Sequence, residues 1–161
     1  MRFSPSQRFG TRGKSIALIL VPLLAGVTCG CRPAADVRSR LLVTLPDGQV
    51  IHADVAATAE ARGRGLMFRS FLPDDRGMLF VLGREASHAF TMTNMRFDLD
   101  IVFLDGDQRV EAIHESVPHP TGDAAAVNIV DRGSYVLELP AGTCRRHHIA
   151  IGDQVQFHLP R

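Results

Sequence analysis

Leu99-Asp-Ile-Val-Phe-Leu104 and Val110-Glu-Ala-Ile-His-Glu-Ser-Val117, joined through Asp105-Gly106, decide the fold class of this chain. Both runs are rich in strand-forming residues, and Asp-Gly between such runs is a strong hairpin signal because glycine enters the left-handed turn region without steric cost. Working outward, Met78 to Leu82 and Ser87 to Thr93 read as strands upstream, and Val127 to Val130, Tyr135 to Leu139 and Val155 to Leu159 as strands downstream. Leu41 to Leu45 and Val50 to Val55 flank Pro46-Asp47-Gly48-Gln49, which is turn chemistry for another hairpin. Helical signals are few. Thr58 can cap a helix over Ala57 to Met67, with Glu60 near the positive end of its dipole, and Thr143 to His148 reads as one short helical turn. The expected fold is α+β and predominantly β: a compact barrel-like or folded antiparallel sheet with two short helices, since closing the sheet protects its edges.

The 161 residues suffice for one domain with its own core and are too few for two of ordinary size. Arg2, Arg8, Arg12 and Lys14 precede the apolar run Ile16 to Val27, and no acid occurs before Asp36, which is the order of an export signal. The run is twelve residues long and contains Pro22, whereas a spanning helix needs about 20 apolar residues. Residues 1–30 are therefore expected to be a secretory or lipoprotein-type signal, residues 31–40 a flexible tether, and residues 41–161 a single β-rich domain. Cys29 and Cys31 follow the apolar run where a lipoprotein carries its acylated cysteine, and Gly30 before Cys31 favours that position. This places the protein in the periplasm or anchored by lipid to the cell envelope. Removing the four basic signal residues from 18 leaves 14 cations, all Arg, against 17 acids, a formal charge of −3. Such a body has no electrostatic footprint for nucleic acid, and the only membrane association expected is through the lipid anchor.

Several strings in the middle of the chain point to relatives. Gly65-Leu-Met-Phe-Arg69, Gly77-Met-Leu-Phe80, Phe90-Thr-Met-Thr-Asn94, Asp98-Leu-Asp100, Tyr135-Val-Leu-Glu138, Ala141-Gly142 and Gly152-Asp153, in that order, resemble the bacterial family called domain of unknown function 192 from about Leu41 to the C-terminus. The resemblance implies a compact β-rich domain, often exported, without an established activity. This chain departs from the pattern at Thr91 and Thr93, where the family usually has Trp and Lys, and at His148, where a short helix usually stops at Gly. The first two substitutions remove an aromatic platform and a charge. The third places a side chain where a left-handed helix end favours none.

Asp100 and Glu138 are acids set among strand-forming apolar residues, where a carboxylate is costly unless paired or hydrogen-bonded. Each is read as bonded to an Arg or to turn amides, with Arg69 the natural partner. The competing reading is a hydrolase or lyase in which the two serve as acid and base, which requires them to face one cavity at about 5 to 10 Å. Arg69 can also bind a carboxylate or phosphate through its planar fork, and Asn94 can orient such a ligand. The candidate ligand-binding residues are thus Arg69, Asn94, Asp98, Asp100 and Glu138, around a cleft floored by strands. The expected role is a non-catalytic binding or accessory module of the envelope, with a small molecule, a glycan or an envelope protein as the ligand. A weaker alternative is a soft-metal site built from Met67, Met78, Met92 and Met95, joined by His88 and His114. The histidines show no zinc spacing, no nucleophile elbow or phosphate loop occurs, and Cys144 has no evident base, so no catalytic residue, metal or cofactor is assigned.

Overall fold

The computed structural model of the chain describes residues 40–160. The signal at 1–30, Cys31 and all of the tether but its last residue lie outside the described residues. Seven strands and two short helices follow in the order β1 (Arg40–Thr44), β2 (Val50–Ala56), α1 (Ala59–Arg64), β3 (Arg76–Thr91), β4 (Leu99–Leu104), β5 (Val110–Val117), β6 (Asn128–Pro140), α2 (Thr143–Arg146) and β7 (Gln156–Phe157). They form one mixed sheet in the order β5-β4-β6-β3-β2-β1-β7. All neighbours are antiparallel except β2 and β3, which run parallel with α1 carried in their connection. The mostly β class is as expected, and the one parallel pair comes from that helical crossover, since a tight turn joins only antiparallel strands.

The sheet curls because its two ends are tied together. Arg109 bridges Gln154 just before β5 and β7 begin. The Val110 and Val155 N–H groups donate to the Asp153 and Gln108 carbonyls at 2.9 and 3.0 Å, and Gly152 N–H to the Val110 carbonyl at 2.8 Å. One core lies inside the curl and draws on every strand, with Val43, Ile51, Leu79, Val102, Leu137 and Phe157 among its residues. A second occupies the opposite face, with Met78, Phe80, Met92, Ile101, Phe103 and Val136.

Two strands are longer than the sequence reading divides them. Met78 to Leu82 and Ser87 to Thr93 are mostly halves of β3, and Val127 to Val130 and Tyr135 to Leu139 of β6, because the ladder between them resumes after an irregularity from Val81 to Ala86. A bulge interrupts pairing and turns the strand without ending it. Here it folds the distal halves over the second core, so Phe90 meets Phe80 and Phe103 edge to face at centroid distances of 5.0 and 5.6 Å. The α1 helix is shorter than expected. Thr58 Oγ1 accepts from the Ala61 N–H at 3.1 Å as predicted, but Gly65 at φ 49° ends the helix.

The first turn behaves as its residues dictate, whereas the second places Gln108, at φ 65°, rather than Gly106 in the left-handed region. Gly48 takes φ 89°, and Asp47 Oδ1 accepts from the Gln49 N–H at 3.0 Å. In the second turn Asp105 Oδ1 accepts from the Asp107 and Arg109 N–H groups, both at 2.8 Å. His148 adopts φ 51°, so the left-handed end of α2 is kept although the residue is not glycine. That conformation costs about 1–2 kcal/mol for a side-chain-bearing residue, and the Ile149 N–H to Cys144 carbonyl bond at 2.9 Å helps hold it.

Candidate functional site

A row of residues crosses the sheet on the face of the second core. Asp54 on β2 stands opposite Met78 on β3, Met78 opposite Glu138 on β6, and Glu138 opposite Ile101 on β4. Directly opposed residues share a face, so two acids flank a methionine in a largely apolar layer. The approach of β3 to β6 here depends on Gly77, since a Cβ at that position would lie 2.8 Å from the Glu138 carbonyl oxygen. Arg69, in the segment after α1, donates from Nη2 to Asp54 Oδ2 at 2.8 Å. Its charge also reaches Glu138.

Glu138 is the atypical member. Its residue is only 7% exposed, and its Oε2 is buried with no hydrogen-bond partner. Burial pushes its pKa from 4.5 up to about 8, against the opposing pull of the Arg69 guanidinium. At neutral pH the group is therefore mostly a neutral carboxylic acid, able to donate as well as accept. Arg69 spends one N–H on Asp54, and its side chain is 24% exposed, so part of its planar fork faces outward.

Two loops meet beside this pair. The Phe68 N–H donates to the Asn94 carbonyl at 3.0 Å, and Asn94 Nδ2 lies 3.9 Å from Met67 Sδ. Phe68 and Asn94 both take left-handed backbone conformations, at φ 66° and 60°. Asn94 therefore stitches the two loops, in a left-handed conformation that Asn adopts more readily than most residues. Asp98, further along, accepts from the His119 N–H at 2.9 Å and from its Nδ1 at 2.6 Å. Those two bonds hold its carboxyl below the usual range.

Asp100 departs from the expected cleft. It is 0% exposed and faces the inner core side, because its opposed residue is Leu139 whereas Glu138 opposes Ile101. The one-residue offset sends the two acids to opposite faces of the sheet, so they do not converge on one cavity. Asp100 Oδ1 accepts from the Ser116 and Gly142 N–H groups at 2.8 and 3.0 Å, and Oδ2 from Cys144 N–H at 2.7 Å. The expectation that turn amides hold a buried acid is met here. Arg69 instead serves Asp54 and Glu138. Burial first, then the Asp100 charge, raise the Cys144 thiol far above its ordinary value, which keeps it unreactive.

Of the five expected site residues, the structure gathers Arg69 and Glu138, places Asn94 at the adjoining loop junction, and leaves Asp98 with His119. Asp54 was not singled out from sequence: it reads as one polar position of an alternating strand, and its link to Arg69 exists only through the parallel crossover. Met78, Met92 and Met95 are buried in the second core and Met67 packs against it, so these thioethers fill space. Among the described residues no three His, Cys, Asp or Glu side chains group to hold a metal.

Comparison with known proteins gives a family and a fold. A solved protein from Sinorhizobium meliloti 1021, described as a candidate transcription regulator, is 31% identical over 73% of this chain and 92% of its own, with a TM-score of 0.61. A protein of unknown function from Novosphingobium aromaticivorans DSM 12444 is also 31% identical, over 73% of this chain and 83% of its own, with a TM-score of 0.62. No curated protein matches the chain. With residues 42–157 matching its pattern, the chain belongs to the DUF192 family, described as Uncharacterized ACR, COG1430.

Proposed function

We propose that this protein is an exported envelope component whose domain binds a ligand without transforming it, through Arg69 and Glu138. The observation that carries this reading is the buried, unpartnered Glu138 carboxyl beside a guanidinium with donors to spare. An unsatisfied buried polar group costs about 1–3 kcal/mol, and groups retained at such a cost concentrate at functional sites. A neutral carboxylic acid next to a cation suits a ligand rich in carbonyl, carboxylate or hydroxyl oxygens, such as a glycan or an acidic small molecule. The acid–base alternative loses its support because Asp100 and Glu138 point to opposite faces. The regulator description of the Sinorhizobium protein is not extended to this chain, whose body carries more acids than cations.

Thermal-shift screening of the purified protein against sugars and acidic metabolites tests the reading. A binder should raise the melting temperature of the wild type and leave Arg69→Gln unmoved, since a ligand of the native state stabilises by mass action. Equal responses in both proteins would remove the site from consideration. Export and anchoring rest on the basic-then-apolar order of residues 2–27 and on Cys31 behind it. Among the described residues no helix is long and apolar enough to cross a membrane. Cys31→Ser should make the protein extractable from the membrane fraction of cells by high salt, and salt-resistant retention would count against acylation there.

A further inference from the structure

We propose that the loops at 66–75 and 93–98 form a docking surface for an anionic lipid bilayer. Phe68 is 60% and Phe71 70% exposed, and among the described residues they are the only exposed large aromatics. Both belong to the segment that follows α1, and the Phe68 N–H bond to the Asn94 carbonyl joins it to the second loop. Arg64, four residues before Phe68, and Arg96, two after Asn94, are exposed and take part in no ion pair among the described residues. The acids nearby are Asp54, Glu60, Asp74, Asp75 and Asp98, of which Asp54 is paired with Arg69 at 2.8 Å, Asp74 with Arg146 at 3.3 Å, Asp75 with Arg76 at 3.7 Å and Asp98 with His119 at 2.6 Å. Two exposed aromatic side chains, with two exposed guanidinium groups a few residues away along the joined segments, match a headgroup region, where rings enter the acyl boundary and cations meet phosphate. A second copy of the chain fits less well, because a symmetric contact would set these cations against one another.

The path of the chain supports the same occupant, and here the inference rests on the anchoring reading. Arg40, where the described chain begins, stands opposite Asp54, and Asp54 holds Arg69 in the aromatic loop. The start of β1 therefore lies on the strand neighbour of the residue that holds the aromatic loop. The nine steps from Cys31 to Arg40 span at most roughly 30 Å. A domain anchored at Cys31 stays within that distance of the bilayer.

The chain has no Trp, so Phe71→Trp supplies a single fluorescent reporter. It is made in the full chain carrying Cys29→Ser and Cys31→Ser, which excludes acylation at either cysteine. Vesicles of phosphatidylcholine with phosphatidylglycerol should blue-shift its emission, and added salt should reverse the shift. Adding Phe68→Ser should raise the lipid concentration at the titration midpoint at least about tenfold, and Arg64→Gln with Arg96→Gln by a similar factor. Val130→Trp, a reporter at an exposed residue of β6, should stay unshifted. An unshifted Phe71→Trp reporter would overturn the proposal and leave a protein partner as the occupant of this surface. Equal shifts at both reporters would overturn it too, as general adsorption through the apolar run at 16–27. Salt-resistant retention of Cys31→Ser in the membrane fraction of cells is a separate result, which removes the anchor at Cys31 and leaves the reporter outcome standing.

Discussion

Asp100→Asn is expected to lower the stability of the domain by roughly 3–5 kcal/mol, read as a drop in the denaturant midpoint at unchanged slope. The carboxylate is where three parts of the fold meet. The β4–β5 ladder shifts register between Leu99 and Ile101, and Ser116 at φ 50° turns its N–H to Asp100 Oδ1. The α2 helix has no side-chain cap of its own at Gly142, and the Gly142 and Cys144 N–H groups go to Asp100 instead. Asparagine keeps one acceptor oxygen but turns an NH₂ group toward donors and removes the charge that strengthens these bonds, each worth about 1.5–3 kcal/mol when the acceptor is ionised. An unchanged midpoint would mean that the three amides find other partners and that Asp100 does not organise this corner.

Glu138→Gln is expected to act in the opposite direction, and only above acid pH. The Glu138 pKa is raised from 4.5 to about 8 in the folded protein, so between these values the native state holds a proton that the unfolded chain has released. Stability from this group is complete below about pH 4.5, declines as pH rises toward 8, and stays low beyond. The integrated loss is on the order of 3–5 kcal/mol, because one pKa unit corresponds to about 1.4 kcal/mol. Gln cannot ionise, so the variant should match the wild type near pH 4.5 and melt at higher temperature above pH 8. Melting curves of both proteins across this range check it. Parallel pH profiles would show that the carboxyl ionises as readily when folded as when unfolded, and the argument for a retained functional acid would fall with that result.

These two residues also mark how far the candidate site could be read in advance. Both were identifiable as costly because each sits in a strand-forming apolar run, and that judgement depends only on residue type and neighbours. Their fates differ for a reason absent from local sequence. Asp100 opposes Leu139 while Glu138 opposes Ile101, and this single-residue offset between β4 and β6 puts one acid inside the curl and the other outside it. The partners were equally hidden. Asp98 meets His119 across 21 positions and Arg69 meets Asp54 across 15, the second only because β2 and β3 run parallel.

By itself the sequence determined the strand content, the two turns at Asp47-Gly48 and Asp105-Gly106, the Thr58 cap and the family, since all of these depend on residues close together in the chain. Tertiary structure alone decided that β3 and β6 continue through their bulge, that the sheet curls until Arg109 meets Gln154, and that Glu138 rather than Asp100 is left without a partner. Backbone propensity and turn chemistry are local. Strand order, register and the face a side chain occupies are set by which distant segments pack together, and the free energy that selects among those packings is shared by the whole core.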